Sequence, residues 1–148
     1  MPRRSLRFCI GSLLASGAIF LAGCGMGYSM KASEWGPKIQ EAATKLQEVQ
    51  VMAATPAAFF GKPAAQKEAL AKLDEVDATL TAIESEFPDS PPSYHDYLEE
   101  GINEMQAAIV IGREGIEKKN LAKLEQFRNQ ANAAGTKLST WGQKAQGQ

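Results

Sequence analysis

From Trp35 to the end of the chain, apolar side chains recur at alternating spacings of three and four residues. This spacing places them on one face of an α-helix and leaves polar residues on the other faces. The four stripes consist of Trp35, Ile39, Ala42, Leu46, Val49 and Ala53; of Leu70, Leu73, Val76, Leu80, Ile83 and Phe87; of Leu98, Ile102, Met105, Ile109 and Ile116; and of Leu121, Leu124, Phe127, Ala131, Ala134, Leu138 and Trp141. No alternating strand pattern competes with them, so an all-α protein is predicted.

Short connecting segments separate the stripes. Proline and glycine interrupt the pattern in "TPAAFFGKP" (residues 55–63), and three prolines do so in "PDSPPS" (residues 88–93). Because short connections make consecutive helices antiparallel neighbours, residues 34–144 are predicted to form an antiparallel up-down four-helix bundle. Gly112 and Gly115 are expected to weaken the end of the third helix.

This topology assigns each connection to an end of the bundle. The chain start, residues 88–93 and the C-terminus share one end, and residues 55–63 lie at the other. Phe59 and Phe60 are therefore expected at the distal tip, where they either plug the core or contact a partner.

The first 22 residues do not continue the helical pattern. Arg3, Arg4 and Arg7 make a positive start, and the residues from Phe8 to Phe20 are largely apolar. This run is too short to span a bilayer, which needs about 20 apolar residues. A basic start followed by a short apolar centre and small residues is typical of an export signal.

The sequence Leu21-Ala22-Gly23-Cys24 resembles the lipobox of bacterial lipoproteins. The resemblance implies that residues 1–23 are a cleaved signal peptide and that Cys24 carries a thioether-linked lipid, with palmitate among its acyl chains. Residues 24–33 are then expected to be a flexible lipidated tether. The alternative is an ordinary secretory signal in which the cysteine occurs by chance.

The residues around Cys24 also indicate where the chain resides. Gly25 is not the aspartate that retains lipoproteins in the inner membrane, which favours the outer membrane, facing the periplasm. Cleavage would remove three arginines and no acidic residue, which leaves 13 basic and 17 acidic side chains and a net charge of −4. Such a charge argues against nucleic acid as a partner.

Four short segments occur in an order that resembles the periplasmic four-helix cytochrome b562 family. They are "KEALAKL" (67–73), "PDSP" (88–91), "HDY" (95–97) and "LSTWGQKA" (138–145). The likeness is best across residues 67–105, and the fold that it implies agrees with the bundle predicted from periodicity.

The family's haem ligands are not matched. In the family, a methionine of the first helix and a histidine near the end of the fourth hold the iron, and the matching positions here are Ile39 and Gly142. Neither side chain has a lone pair for iron. The resemblance therefore implies the fold without a bound cofactor, with haem on an altered ligand set as an alternative. The candidate substitutes are Met30, Met52, Met105 and His95.

The remaining polar residues suggest two further interpretations. Residues 73–112 contain ten acidic residues and no lysine or arginine, which predicts either a solvated acidic flank or a face for a basic protein or a cation. His95, with Asp89, Asp96 and Glu99, could hold copper or zinc, but one histidine is too few for most transition-metal sites, and packing in the first turn is favoured.

No arrangement of residues predicts catalysis. The lipidated Cys24 cannot serve as a nucleophile, and Glu99 and Glu100 are adjacent on a helix and point in different directions. The chain is therefore predicted to be a non-enzymatic binding module that is anchored in the membrane through Cys24 and contacts another envelope protein. The alternatives are a haem electron carrier and a periplasmic metal-binding module.

Overall fold

The computed structural model describes residues 27–147, and this part of the chain is helical without a strand. The helices are α1 (Tyr28–Met52), α2 (Pro56–Phe60), α3 (Pro63–Glu84), α4 (Asp96–Glu117) and α5 (Leu121–Gln146), and a 3-10 turn (Ser93–His95) precedes α4. The all-α prediction is confirmed for these residues. The predicted signal peptide 1–23 and Cys24 lie outside the described residues.

The helices pack around one hydrophobic core. α1 contacts α3 and α5, and α4 also contacts α3 and α5. The core consists mainly of the predicted stripes, but Leu121 is exposed, and Ala53, Leu70 and Phe87 are only partly buried. None of the described helices is long and apolar enough to cross a membrane.

The first helix begins earlier than predicted. α1 starts at Tyr28, so residues 28–33 are helical, and the prediction that they belong to a flexible tether is wrong. The glycines and Ser29 in this region favour a flexible segment. However, Tyr28 and Ala32 extend the buried face of Trp35 by two turns and pack against other elements of the bundle. The apolar contacts of this face compensate for the poor helix propensity of the residues at the start of α1.

The short helix α2 lies in the segment that was predicted as a connection. Phe59 is 3% exposed and belongs to the core, while Phe60 is half-buried beside it. The Gln66 side chain donates to the carbonyl oxygens of Phe59 (3.3 Å) and Phe60 (3.1 Å), which stabilises the end of this helix. Of the two expectations for these residues, the burial of Phe59 agrees with the one in which they plug the core.

Close contact between α4 and α5 explains three glycines of α4. A Cβ atom would lie 2.7 Å from Leu138 Cδ2 at Gly101, 2.9 Å from Phe127 Cδ2 at Gly112, and 2.9 Å from Leu124 Cδ2 at Gly115. Gly112 and Gly115 were expected to weaken the end of this helix. That expectation is wrong, because α4 continues through both glycines to Glu117. The glycines lower the helix propensity, and the close helix contact that they permit offsets this cost.

Candidate functional site

Six aromatic side chains from separate parts of the chain form a cluster around the buried ring of His95, which is one of them. This aromatic cluster consists of Tyr28 and Trp35 of α1, Phe87 of the loop after α3, Tyr94 and His95 of the 3-10 turn, and Trp141 of α5. The ring centroids of His95 and Phe87 are 4.3 Å apart with an interplanar angle of 80°, and those of His95 and Tyr28 are 5.4 Å apart at 81°. Perpendicular contacts of this kind direct the edge of one ring at the face of another.

The loop before α4 brings His95 into the cluster. Three prolines between Phe87 and Ser93 prevent α3 from continuing, and the chain then tightens into the 3-10 turn. In this turn the backbone N–H of His95 donates to the carbonyl of Pro92 at 2.8 Å. The histidine side chain is 1% exposed, so the favoured prediction that it packs in the first turn agrees with its observed position.

Two hydrogen bonds link Tyr28, His95 and Trp141 into a relay. Trp141 Nε1 donates to Tyr28 Oη at 3.0 Å, and Tyr28 Oη lies 2.5 Å from His95 Nδ1. Because an indole N–H can only donate, the tyrosine oxygen accepts this bond, and its own proton is available to His95 Nδ1. The imidazole proton is then on Nε2, which is buried and has no hydrogen-bond partner.

Burial keeps both titratable members of the relay neutral at pH 7. Desolvation lowers the pKa of His95 below its ordinary value of 6.5, and the charges of Glu99 and Asp96 oppose this shift only in part. Desolvation also raises the pKa of Tyr28 to about 12, and the hydrogen bond from Trp141 partly offsets that increase. The relay is therefore a neutral polar contact inside an apolar cluster.

The other members of the imagined metal site are not gathered around His95. Asp89, Asp96 and Glu99 are exposed, whereas the imidazole faces the aromatic rings. Among residues 27–147, no group of three or more histidine, cysteine, aspartate and glutamate side chains lies close enough to hold a metal ion.

The residues at the family's haem-ligand positions do not fit that group. Ile39 is buried in the core, and Gly142 is half-buried, with no atom within 4 Å of a Cβ built there. Of the candidate substitutes, Met30 is 65% exposed and Met105 is buried. Met52 lines a surface groove of about 460 Å³ at the end of α1.

Two surface grooves border the end of α1. The first lies between α1 and α3, and its lining includes Val51 and Met52 together with Glu48 and Glu68. The second, of about 270 Å³, lies between the end of α1 and α5 and is lined in part by Ala53, Leu124 and Arg128. His95 lines neither of these grooves and, at 1% exposure, lies in the core.

Most of the acidic segment 73–112 is used in ion pairs between helices. Lys45 pairs with Glu75 at 2.8 Å, and Arg113 pairs with Asp74 at 2.8 Å and with Asp77 at 3.2 Å. Lys137 pairs with both Glu100 and Glu104 at 2.7 Å, and Lys31 pairs with Glu86 at 2.9 Å. The acidic segment therefore pairs with basic residues on the elements that pack beside it. Six of the ten acidic side chains of this segment are paired in this way.

No family model, curated protein or solved structure matches this chain.

Proposed function

We propose that this chain is a lipid-anchored four-helix-bundle protein of the bacterial envelope that acts by binding another envelope component. In this proposal Cys24 carries the lipid, and the helical body faces the periplasm from the outer membrane. The position of the lipobox is the observation that carries the proposal: Cys24 ends the apolar run, and α1 begins only four residues later.

The contacts support the finer topology of an antiparallel up-down bundle. α1, α3, α4 and α5 form a closed ring of neighbours, as consecutive antiparallel helices do. The hydrogen bond between Tyr28 and Trp141 joins the start of α1 to the end of α5. Lys31 and Glu86 join the start of α1 to the segment just after α3. These ties agree with the proposed cytochrome b562-like arrangement, in which α2 lies in the first connection.

The observed start of α1 shortens the proposed tether. Only Gly25, Met26 and Gly27 separate Cys24 from the helix, and four extended Cα–Cα steps span at most about 14 Å. The end of the bundle that carries the aromatic cluster is therefore held close to the bilayer. The α2 end and the outer helix faces are left as surfaces for a partner.

The anchor is tested by comparing two cysteine variants in cells. Cys24→Ala should move the protein from the membrane fraction to the soluble fraction and abolish incorporation of labelled palmitate. Cys9→Ala makes the same side-chain change inside the apolar run and should leave both properties as in the wild type. Unchanged detergent-phase partitioning of Cys24→Ala would refute lipidation at this residue.

Partner binding is tested by crosslinking in intact envelopes. We expect wild-type protein to form a discrete adduct, and Cys24→Ala to form less of it because the protein is no longer concentrated at the membrane. Recovery of monomer alone at several crosslinker lengths would contradict the binding function without affecting the anchor.

The haem and metal alternatives have direct tests. Purified protein offered haem should develop no Soret band, because the positions matched to the family's ligands are Ile39 and Gly142. Copper or zinc should leave the melting temperature unchanged, since a ligand of the folded state must raise it. A Soret band or a metal-dependent rise would replace the binding proposal.

A further inference from the structure

We propose that the relay of Tyr28, His95 and Trp141 is an acid-sensitive latch, which holds the start of α1 against the 3-10 turn and α5 and opens when His95 takes up a proton. Its members come from three elements, with Tyr28 separated by 67 residues from His95 and by 113 from Trp141. The contact is therefore purely tertiary, and its loss would free the first turn of α1, while the bonds of Lys31 and Trp35 to Glu86 still hold the following turn.

A proton from solvent adds to the lone pair of His95 Nδ1, which in the closed form accepts the hydrogen bond from Tyr28. The new N–H and the indole N–H of Trp141 then both point at the tyrosine oxygen, and the hydroxyl proton loses its acceptor. A positive charge is also left on a ring that is 1% exposed. Water solvates the imidazolium better than the closed cluster does, so protonation favours opening.

The charged groups near His95 do not remove this effect. Asp96 and Glu99 of α4 favour the protonated ring, but both are exposed and therefore screened by water. The neighbouring tyrosines, Tyr28 and Tyr94, have raised pKa values and stay neutral in acid. Glu86, from the segment after α3, is held ionised by Lys31 and Trp35, which lower its pKa.

His95 is therefore the group of this cluster that takes up a proton as the pH falls below neutrality. Burial of the neutral ring lowers its pKa, so the folded cluster resists protonation until the pH falls below the ordinary value of 6.5. The open form binds the proton more tightly than the closed form. A fall in pH below that value therefore shifts the equilibrium towards opening.

Opening has two structural consequences. Trp35 loses its ring contact with Tyr28, and Trp141 loses its hydrogen bond to the same tyrosine, so both indoles become more accessible to water. The first turn of α1, before Lys31 and its bond to Glu86, also becomes part of the link that precedes the helical body. If Cys24 is lipidated as proposed, acid would thus lengthen the short tether and move the body away from the bilayer.

The composition of the chain makes the test direct. It contains one histidine and two tryptophans, and both tryptophans belong to the aromatic cluster. Imidazole NMR signals of the purified full chain therefore report His95 protonation, and tryptophan fluorescence reports opening. We expect the imidazole midpoint to lie below 6.5. The emission maximum should shift reversibly to longer wavelength over the same pH interval.

Three variants separate the latch from general acid sensitivity. His95→Gln stays neutral, so the fluorescence shift should be absent between about pH 7 and pH 5. Tyr28→Phe keeps the ring but removes the hydrogen bond to neutral His95, and both midpoints should rise by about half to one pH unit. Tyr97→Phe changes a tyrosine on α4 beside Lys144 and should behave as the wild type.

Two results would overturn the latch. One is the same fluorescence shift in His95→Gln as in the wild type, and the other is protonation of wild-type His95 without any change in emission. If His95→Gln does not fold, Tyr28→Phe decides, and unchanged midpoints then refute the proposal. Because these measurements need no membrane, their failure would leave the proposed anchor and its Cys24→Ala test unaffected.

Discussion

Gly112→Ala tests whether the close approach of α4 and α5 determines the glycine at this position. The new Cβ would lie 2.9 Å, 3.1 Å and 3.2 Å from three ring atoms of Phe127. Ordinary carbon–carbon contacts are about 3.5–4.0 Å, so the helices or the ring would have to shift by roughly half an ångström or more. Phe127 is buried in the core, so its ring has little room to move away.

Two opposing effects set the magnitude. Overpacking of a filled core costs about 1–3 kcal/mol. Replacing glycine by alanine in a helix interior gains about 1 kcal/mol. The net result for Gly112→Ala is a loss of about 0–2 kcal/mol in the free energy of unfolding. Gly135→Ala, in the middle of α5, gains the same propensity but meets no atom within 4 Å and should stabilise the protein.

The difference between these two variants isolates the packing cost, because the propensity gain is common to both. Urea unfolding followed by circular dichroism should separate them by about 1–3 kcal/mol, or roughly 4–12 °C in melting temperature. Gly142→Ala provides a second control, since a Cβ there also has no atom within 4 Å. Equal stabilisation in all three variants would refute the close helix contact.

Three further predictions concern the core, the surface charges and the relay. Phe59→Ala should lower the free energy of unfolding by about 3–5 kcal/mol, as measured by urea unfolding. Phe60→Ala should lower it clearly less because Phe60 is half-buried, and equal losses would contradict the observed burial. Arg113→Gln should cost less than about 1 kcal/mol, and this cost should shrink in about 1 M salt because the ion pairs are partly exposed; a loss independent of salt would instead indicate packing. Near-ultraviolet absorbance should show one tyrosine ionising near pH 12, and the wild type should lose stability as the pH rises from 10 to 12, because the folded state keeps a proton on Tyr28 that the unfolded state releases. Tyr28→Phe should lack this absorbance change, and a normal titration of all tyrosines would contradict the buried relay.

Periodicity alone predicts the helical class and most of the core. The third stripe illustrates this, because every predicted residue from Leu98 to Ile116 is buried in α4. Spacings of three and four specify one helix face, and burying that face drives packing with other helices. The three prolines before Ser93 likewise predict a break between α3 and α4. The apolar spacing and the prolines are each formed by residues that are close together in the chain. Both can therefore be read from the sequence.

The early start of α1 and the candidate site were beyond such local signals. Tyr28 follows a glycine-rich stretch that favours flexibility, and it becomes helical in contact with His95, which is 67 residues away. The sequence predicts that His95 packs near the start of a helix, but it contains no sign of its hydrogen-bond partner. Such contacts depend on where helices from distant parts of the chain meet.

The sequence by itself therefore determines the helical periods, their breaks and the cysteine at which the proposed anchor is attached. Tertiary structure decides which residues meet at the helix contacts. At Gly112 the two levels oppose each other, because local propensity favours alanine and the nearby Phe127 ring favours glycine. At His95 the closed aromatic cluster makes the imidazole neutral and ties it to Tyr28. Burial supplies the physical reason in both cases, since the energy of a side chain in the core depends on neighbours that lie far away in sequence.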